Sequence, residues 1–123
     1  RRVHEGEAAG ANAVTIWGTG NALREFLYVD DMAEACVFLL ENYSGYEHIN
    51  VGSGVERTIM ETARIVANVV GFDGKIVTDT TMPDGTPRKL MDSSKLFGMG
   101  WKPRVGLEEG LRGAYSDFLQ KAV

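Results

Sequence analysis

The stretch "WGTGNALREFLYVDD", residues 17–31, sets Trp17 and Arg24 around a turn that holds Gly18 and Gly20. A guanidinium offers a fixed fork of donors that matches phosphate oxygens, at about 1.5–3 kcal/mol for a hydrogen bond to a charged group. An indole at a strand end is either core or a platform for a ring or sugar. Farther on, "TTMPDGTPRKLMDSSKL", residues 80–96, carries two of the three prolines and places Asp84 ahead of adjacent Arg88 and Lys89. A stiff loop presenting an acid and two cations suits a hydroxyl-rich, phosphorylated ligand at little ordering cost. Each group also has a plainer reading: Arg24 paired with Glu25 or Asp31 at the surface, Trp17 in the core, and the loop as a solvated connector.

Other chemistries find less support. A dinucleotide fingerprint needs glycines at 18, 20 and 23 between a strand and a helix start, where backbone and helix amides hold the pyrophosphate. Position 23 is Leu23 and a strand pattern follows it, so the turn does not read as a phosphate loop. "GSGVERT" likewise lacks the Gly-Lys-Ser/Thr ending of a P-loop. His4 and His48 stand far apart with no cysteine pair and no His-x-x-x-His spacing, which points to surface or hydrogen-bonded roles and to no metal site. No Gly-x-Ser-x-Gly elbow occurs. The single cysteine, Cys36 in "MAEACVFLL", reads as core filler in a reducing compartment and makes a poor nucleophile.

The elements that must position these groups follow from periodicity. "AVTIW" (13–17) and "EFLYV" (25–29) read as strands joined by the glycine turn. Asp30 suits the N-cap of a helix over 31–43, with Met32, Ala35, Cys36, Leu39, Leu40 and Tyr43 on its buried face. "EHINVGSG" (47–54) supplies a short strand ending in glycines. Thr58 and Glu61 form a capping box ahead of a helix whose stripe is Ile59, Ala63, Val66 and Val70, and Gly71 stops it. "KIVTD" (75–79) is a strand and "RKLMD" (88–92) a shorter one, and Asp92 or Ser93 caps a helix in "SKLFGMG". A last helix, from Leu107 to about Gln120, is weakened by Gly110 and Gly113. The alternation predicts a small mixed α/β domain without internal repeats.

Composition bounds the partners. At 123 residues, 44% hydrophobic and 24% charged, the chain fits one globular domain spanning residues 1–123. A net charge of -4 argues against a general nucleic-acid surface, and no apolar run approaches the roughly 20 residues of a membrane span. The expected location is cytoplasmic. The opening "RRVHEGEAAG" has neither an initiator methionine nor a signal-peptide stretch and reads as cut from something longer, whether as a fragment, a processed chain or a trimmed one.

Taken together, "WGTGNALREFLYVDDMAEA", "HINVGSG" with "TIMETARIVANVVGFDGKIV", and "PDGTPRKLMDSSKLFGMGWKP" closely resemble the carboxyl-terminal part of GDP-L-fucose synthases, which are extended short-chain dehydrogenase/reductases. The order and spacing of three blocks over almost the whole chain are far more specific than any glycine pair. The resemblance implies the substrate-binding domain of an NADP-dependent 3,5-epimerase and 4-reductase that converts GDP-4-keto-6-deoxy-mannose to GDP-L-fucose. Carried onto matching positions, it implies that Arg24 binds the diphosphate, that Trp17 walls the substrate pocket, and that Arg2, Asp84 and Lys89 also contact the substrate. The glycine turn then sets Arg24 in place without itself holding phosphate.

The resemblance also marks what to expect elsewhere. The Rossmann half that takes NADP, the Tyr-x-x-x-Lys pair, and the epimerase cysteine and histidine have no match in this sequence. Residues four after Tyr28, Tyr43, Tyr46 and Tyr115 are Met32, Glu47, Asn50 and Leu119. No catalytic or cofactor-binding residue is therefore expected here, and the chain alone is expected to be inactive and to bind no NADP. Its partners are expected to be a GDP-sugar and the missing Rossmann domain, whose absence would expose an apolar interface of roughly 600–1,500 Å² that invites self-association. Two alternatives stay open: a free-standing, non-catalytic module for nucleotide sugars or a protein partner, and part of another nucleotide-sugar epimerase or dehydratase.

Overall fold

The structure, a computed structural model, describes residues 1–121. Its elements run α1 (Arg2–Ala8), β1 (Ala13–Trp17), β2 (Leu23–Glu25), α2 (Val29–Asn42), β3 (Glu56–Thr58), α3 (Ile59–Val70), β4 (Lys75–Asp79), β5 (Arg88–Lys89), α4 (Ser94–Gly98) and α5 (Leu107–Lys121). This is the mixed α/β alternation expected from the periodicity. β1 and β4 pair in parallel from Ala13–Lys75 to Trp17–Asp79. β2 lies between antiparallel β3 and parallel β5 in a second, three-stranded sheet.

Two apolar clusters hold these layers. Val3, Val14, Ala67 and Phe72 join α1, β1 and α3, with Val66, Val70 and Ile76 packed around them. Ala35, Leu96 and Trp101 form the second, beneath α2 and α4. Two carboxylates tie loops to the second unit. Asp31, only 3% exposed, accepts from the Arg104 and Val105 amides, and Glu25 accepts from Gly54 and Met91.

The Thr58–Glu61 capping box forms as predicted, and Gly71 ends α3 in the left-handed conformation. Elsewhere the structure differs in instructive ways. The strands flanking the glycine turn fall in different sheets, so the turn passes the chain from one sheet to the other. β2 covers 23–25 instead of 25–29, because only there do β3 and β5 supply partners. Residues 47–54 form no strand, having no neighbouring strand to pair with, and β3 follows at Glu56–Thr58. β5 stops at Lys89, short of the expected 92. Residues 2–8 form a helix to which no periodicity pointed.

Helix α2 is rotated from the expected face. Ala35, Phe38 and Leu39 turn inward, whereas Met32, Cys36 and Leu40 are exposed, Leu40 at 85%. Cys36 is therefore not core filler. The cause is that apolar residues cover more than half of the circumference of α2, outside a polar strip of Asp30, Glu34 and Glu41, so a 3.6-residue period does not mark one buried side within that wide face. Nor does Asp30 cap it: the N-cap is Tyr28, without a side-chain bond, and the neighbouring Asp31 takes the buried role.

The glycines of α5 act through packing. A Cβ at Gly110 would stand 2.9 Å from the Tyr28 ring, and one at Gly113 would stand 3.0 Å from the Tyr28 hydroxyl. Alanine at 110 adds helix propensity of about 1 kcal/mol but overpacks this contact by about 1–3 kcal/mol. Urea denaturation should show Gly110→Ala less stable than the parent, whereas Gly98→Ala, with nothing within 4 Å, should be neutral or stabilising.

Candidate functional site

The site is built where the two sheets meet at the glycine turn. Trp17 closes β1, and Gly18 continues that pairing by donating its amide to the Asp79 carbonyl at 2.8 Å. Gly18 and Gly20 have φ of 76° and 80°, the left-handed region that favours glycine. A Cβ at Gly18 would collide with the Asp84 carboxylate, so the close approach of the 80–89 loop also needs glycine there.

The turn rests on the start of α3, whose Ile59 and Met60 amides donate to the Ala22 and Gly20 carbonyls at 2.9 Å. The Glu61 amide is taken by Thr58. In the turn itself, the Thr19 amide goes to Asp84 and the Asn21 amide to the Thr19 hydroxyl. With these donors committed, the turn and helix start do not fit a dinucleotide pyrophosphate.

Arg24 supplies such a side chain. Its Nη1 donates to the Leu23 carbonyl at 2.7 Å and to the Thr86 carbonyl at 2.8 Å. Neither Glu25 nor Asp31 pairs with it, since both carboxylates accept backbone amides elsewhere. The guanidinium is thus pinned at one nitrogen, and Nε and Nη2 make no hydrogen bond to the described residues. Lys89 stands opposite Arg24 on β5 and Arg57 opposite it on β3. Like charges directly across a ladder repel, so this row favours an anion.

Trp17 is 53% exposed and therefore not core. The Arg2 guanidinium lies 5.0 Å from the centre of its ring, and Arg2 Nη1 also donates to the Thr15 carbonyl at 3.4 Å. Asp84 binds across the turn, accepting from the Thr19 amide at 2.6 Å and the Thr19 hydroxyl at 2.8 Å. Arg88 is committed to Glu56 through two bonds of 2.7 and 2.8 Å.

The five candidates thus fall into two linked groups, Arg2 with Trp17, and Arg24 with Lys89 and the Asp84 loop, on either side of the glycine turn. Arg57 and Thr19 were missed from sequence, because cross-sheet register and a contact over 65 positions leave no local pattern. The cavity of about 460 Å³ bounded by Gly54, Arg88, Leu90 and Phe97 lies beside α4 and does not include Trp17, Arg24 or Asp84. Among the described residues no group of three or more His, Cys, Asp or Glu could hold a metal ion, and His4 instead meets the Tyr115 hydroxyl at 2.9 Å. None of the described helices is long and apolar enough to cross a membrane.

The NAD dependent epimerase/dehydratase family matches residues 1–52. A solved GDP-6-OMe-4-keto-L-xylo-heptose reductase from Campylobacter jejuni is similar at 37% identity and TM-score 0.81, over 89% of this chain and 34% of that one. A GDP-L-fucose synthetase from Naegleria fowleri, solved with NADP, shares the fold at TM-score 0.91 and 23% identity, over 98% of this chain and 38% of that one. In fold and sequence the chain is similar to a segment of extended short-chain dehydrogenase/reductases. Within that class the chain matches the GDP-L-fucose synthases along its full length. GDP-L-fucose synthase 1 of Arabidopsis thaliana is 60% identical over 98% of this chain, and the enzyme of Escherichia coli K12 is 45% identical over 98%. The chain spans 37% and 40% of the length of these two relatives.

The Asp84 carboxyl is held below the usual carboxylate range by the Thr19 hydroxyl and amide, with the Gly20 amide adding to them. Its folded pKa is therefore lower than its unfolded one. The stability it contributes is present above the unfolded value and is lost as pH falls through the depressed folded value. Carboxyl-carbon NMR should place the Asp84 midpoint below that of an unstructured aspartate; an ordinary midpoint would contradict the contact.

Proposed function

We propose that this chain is the carboxyl-terminal, substrate-binding domain of a GDP-L-fucose synthase, gripping the GDP-sugar while an NADP-binding Rossmann half supplies the reactive groups. In the full-length enzyme the reaction is the NADPH-dependent epimerisation and reduction of GDP-4-keto-6-deoxy-mannose to GDP-L-fucose. The observation that carries the reading is Arg24, pinned at one nitrogen with its remaining donors uncommitted, in a row with Lys89 and across the turn from an exposed indole.

The roles follow from chemistry. Nε and Nη2 of Arg24 present a fork that suits diphosphate oxygens, and Lys89 adds a point charge. Trp17, backed by Arg2, offers an apolar face for the base or sugar. Asp84 keeps acceptor capacity beyond its bonds within the turn for a ligand hydroxyl or base edge. No proton or hydride step is assigned to any of these groups.

The other surface of the reading is α2. Val29, Met32, Ala33, Cys36, Val37 and Leu40 recur at i, i+3, i+4, i+7, i+8 and i+11, and all are exposed. A helix apolar on both sides is ordinarily buried on both. The relatives' greater length supports a second polypeptide layer, the Rossmann half, seated on this face.

Two outcomes are expected. Calorimetry on the 123-residue chain should detect GDP and GDP-mannose but not UDP-glucose, and Arg24→Ala should abolish the GDP signal with the fold intact; an unchanged signal removes Arg24 from the site. Light scattering should show mass rising with concentration, and the double change Val37→Lys, Leu40→Lys should suppress it. A parent chain that stays monomeric throughout would contradict the seat on α2.

A further inference from the structure

Asp84 sits in an exposed Pro-Asp-Gly turn, yet Thr19 engages both of its carboxylate oxygens. The Thr19 amide donates to Oδ1 and the Thr19 hydroxyl to Oδ2, while the same hydroxyl oxygen accepts from the Asn21 amide at 3.2 Å. Thr19 so joins segments 65 positions apart. Just beyond Asp84, the Thr86 carbonyl accepts from Arg24 and the Pro87 carbonyl accepts from the Leu23 amide, each at 2.8 Å. Three consecutive attachments therefore close the loop onto the turn and β2, and the first of them is Thr19.

We propose that Thr19 is the positioning residue of the site: it latches Asp84, and through it the 80–89 loop, so that Arg24 keeps its free edge and Asp84 its remaining acceptor capacity toward one ligand. This rests on the reading of the site as a nucleotide-sugar grip, with GDP as the recognised portion. The hydroxyl is the essential group. Valine has nearly the same shape but cannot donate to Oδ2, whereas serine keeps the donor. Few charges compete for Asp84. The glycine turn brings none, Asp79 on β4 is bound to Thr81, and Arg88 is committed to Glu56. Arg24 and Lys89 on β2 and β5, with Arg57 beyond them on β3, are the remaining cations of the neighbouring strands.

The test compares Thr19→Val and Thr19→Ser in the 123-residue chain. Without ligand, the valine variant should raise the Asp84 titration midpoint and lower exchange protection of the Leu23 amide about tenfold, and serine should restore both. With GDP, valine should weaken binding about tenfold at neutral pH and move the acid limb of the affinity profile to higher pH, with serine within about twofold of the parent. A valine variant with parental loop protection, Asp84 midpoint and GDP affinity would overturn the proposal. If the valine variant does not fold, the parent decides: Leu23 protection must fall with the midpoint at which Asp84 titrates, and protection independent of that titration overturns the latch. Failure of the parent to bind GDP would instead overturn the nucleotide-sugar reading, leaving the latch to be judged on the ligand-free measurements.

Discussion

The closure of the 80–89 loop onto the glycine turn is the constraint on which the site depends. β2 is three residues long and β5 two, and neither could hold a guanidinium in a fixed direction by itself. What stiffens them is the sequence of contacts from Thr19–Asp84 through Arg24–Thr86 to Leu23–Pro87. Prolines at 83 and 87 reduce the entropy that closure must overcome. The glycine turn contributes by giving way: without side chains at 18 and 20, the backbone approaches Asp84 on one side and Met60 on the other.

The same economy appears where carboxylates face the backbone. Asp31 and Glu25 accept amide donors from loops that no regular element would satisfy, so they act as caps for irregular chain. This leaves Arg24 unpaired with either Glu25 or Asp31. It also explains how an acidic chain keeps a row of cations available on one small sheet.

Much of this was legible in the residues, for identifiable reasons. The Thr58–Glu61 box, the Gly71 stop and the strand at 75–79 are local signals, written within four or five residues, and each appears in the structure. Trp17 and Arg24 could be singled out by side-chain chemistry, but their context could not. Only a register between strands more than thirty positions apart brings Arg57 and Lys89 alongside Arg24. Helix α2 was misread on its buried face because apolar residues on both sides defeat any periodicity argument, and Cys36 was misplaced with it. The Tyr28 contact likewise reverses the meaning of Gly110, a helix weakener in isolation and a packing surface in the fold.

The most direct test of the account is a crystal structure of the chain with GDP. The account predicts diphosphate oxygens within hydrogen-bond reach of Arg24 Nε and Nη2, the nucleotide lying against the Trp17 ring, and the Thr19–Asp84 contact retained. GDP seated instead in the cavity between Gly54, Arg88 and Phe97, with Arg24 untouched, would contradict it.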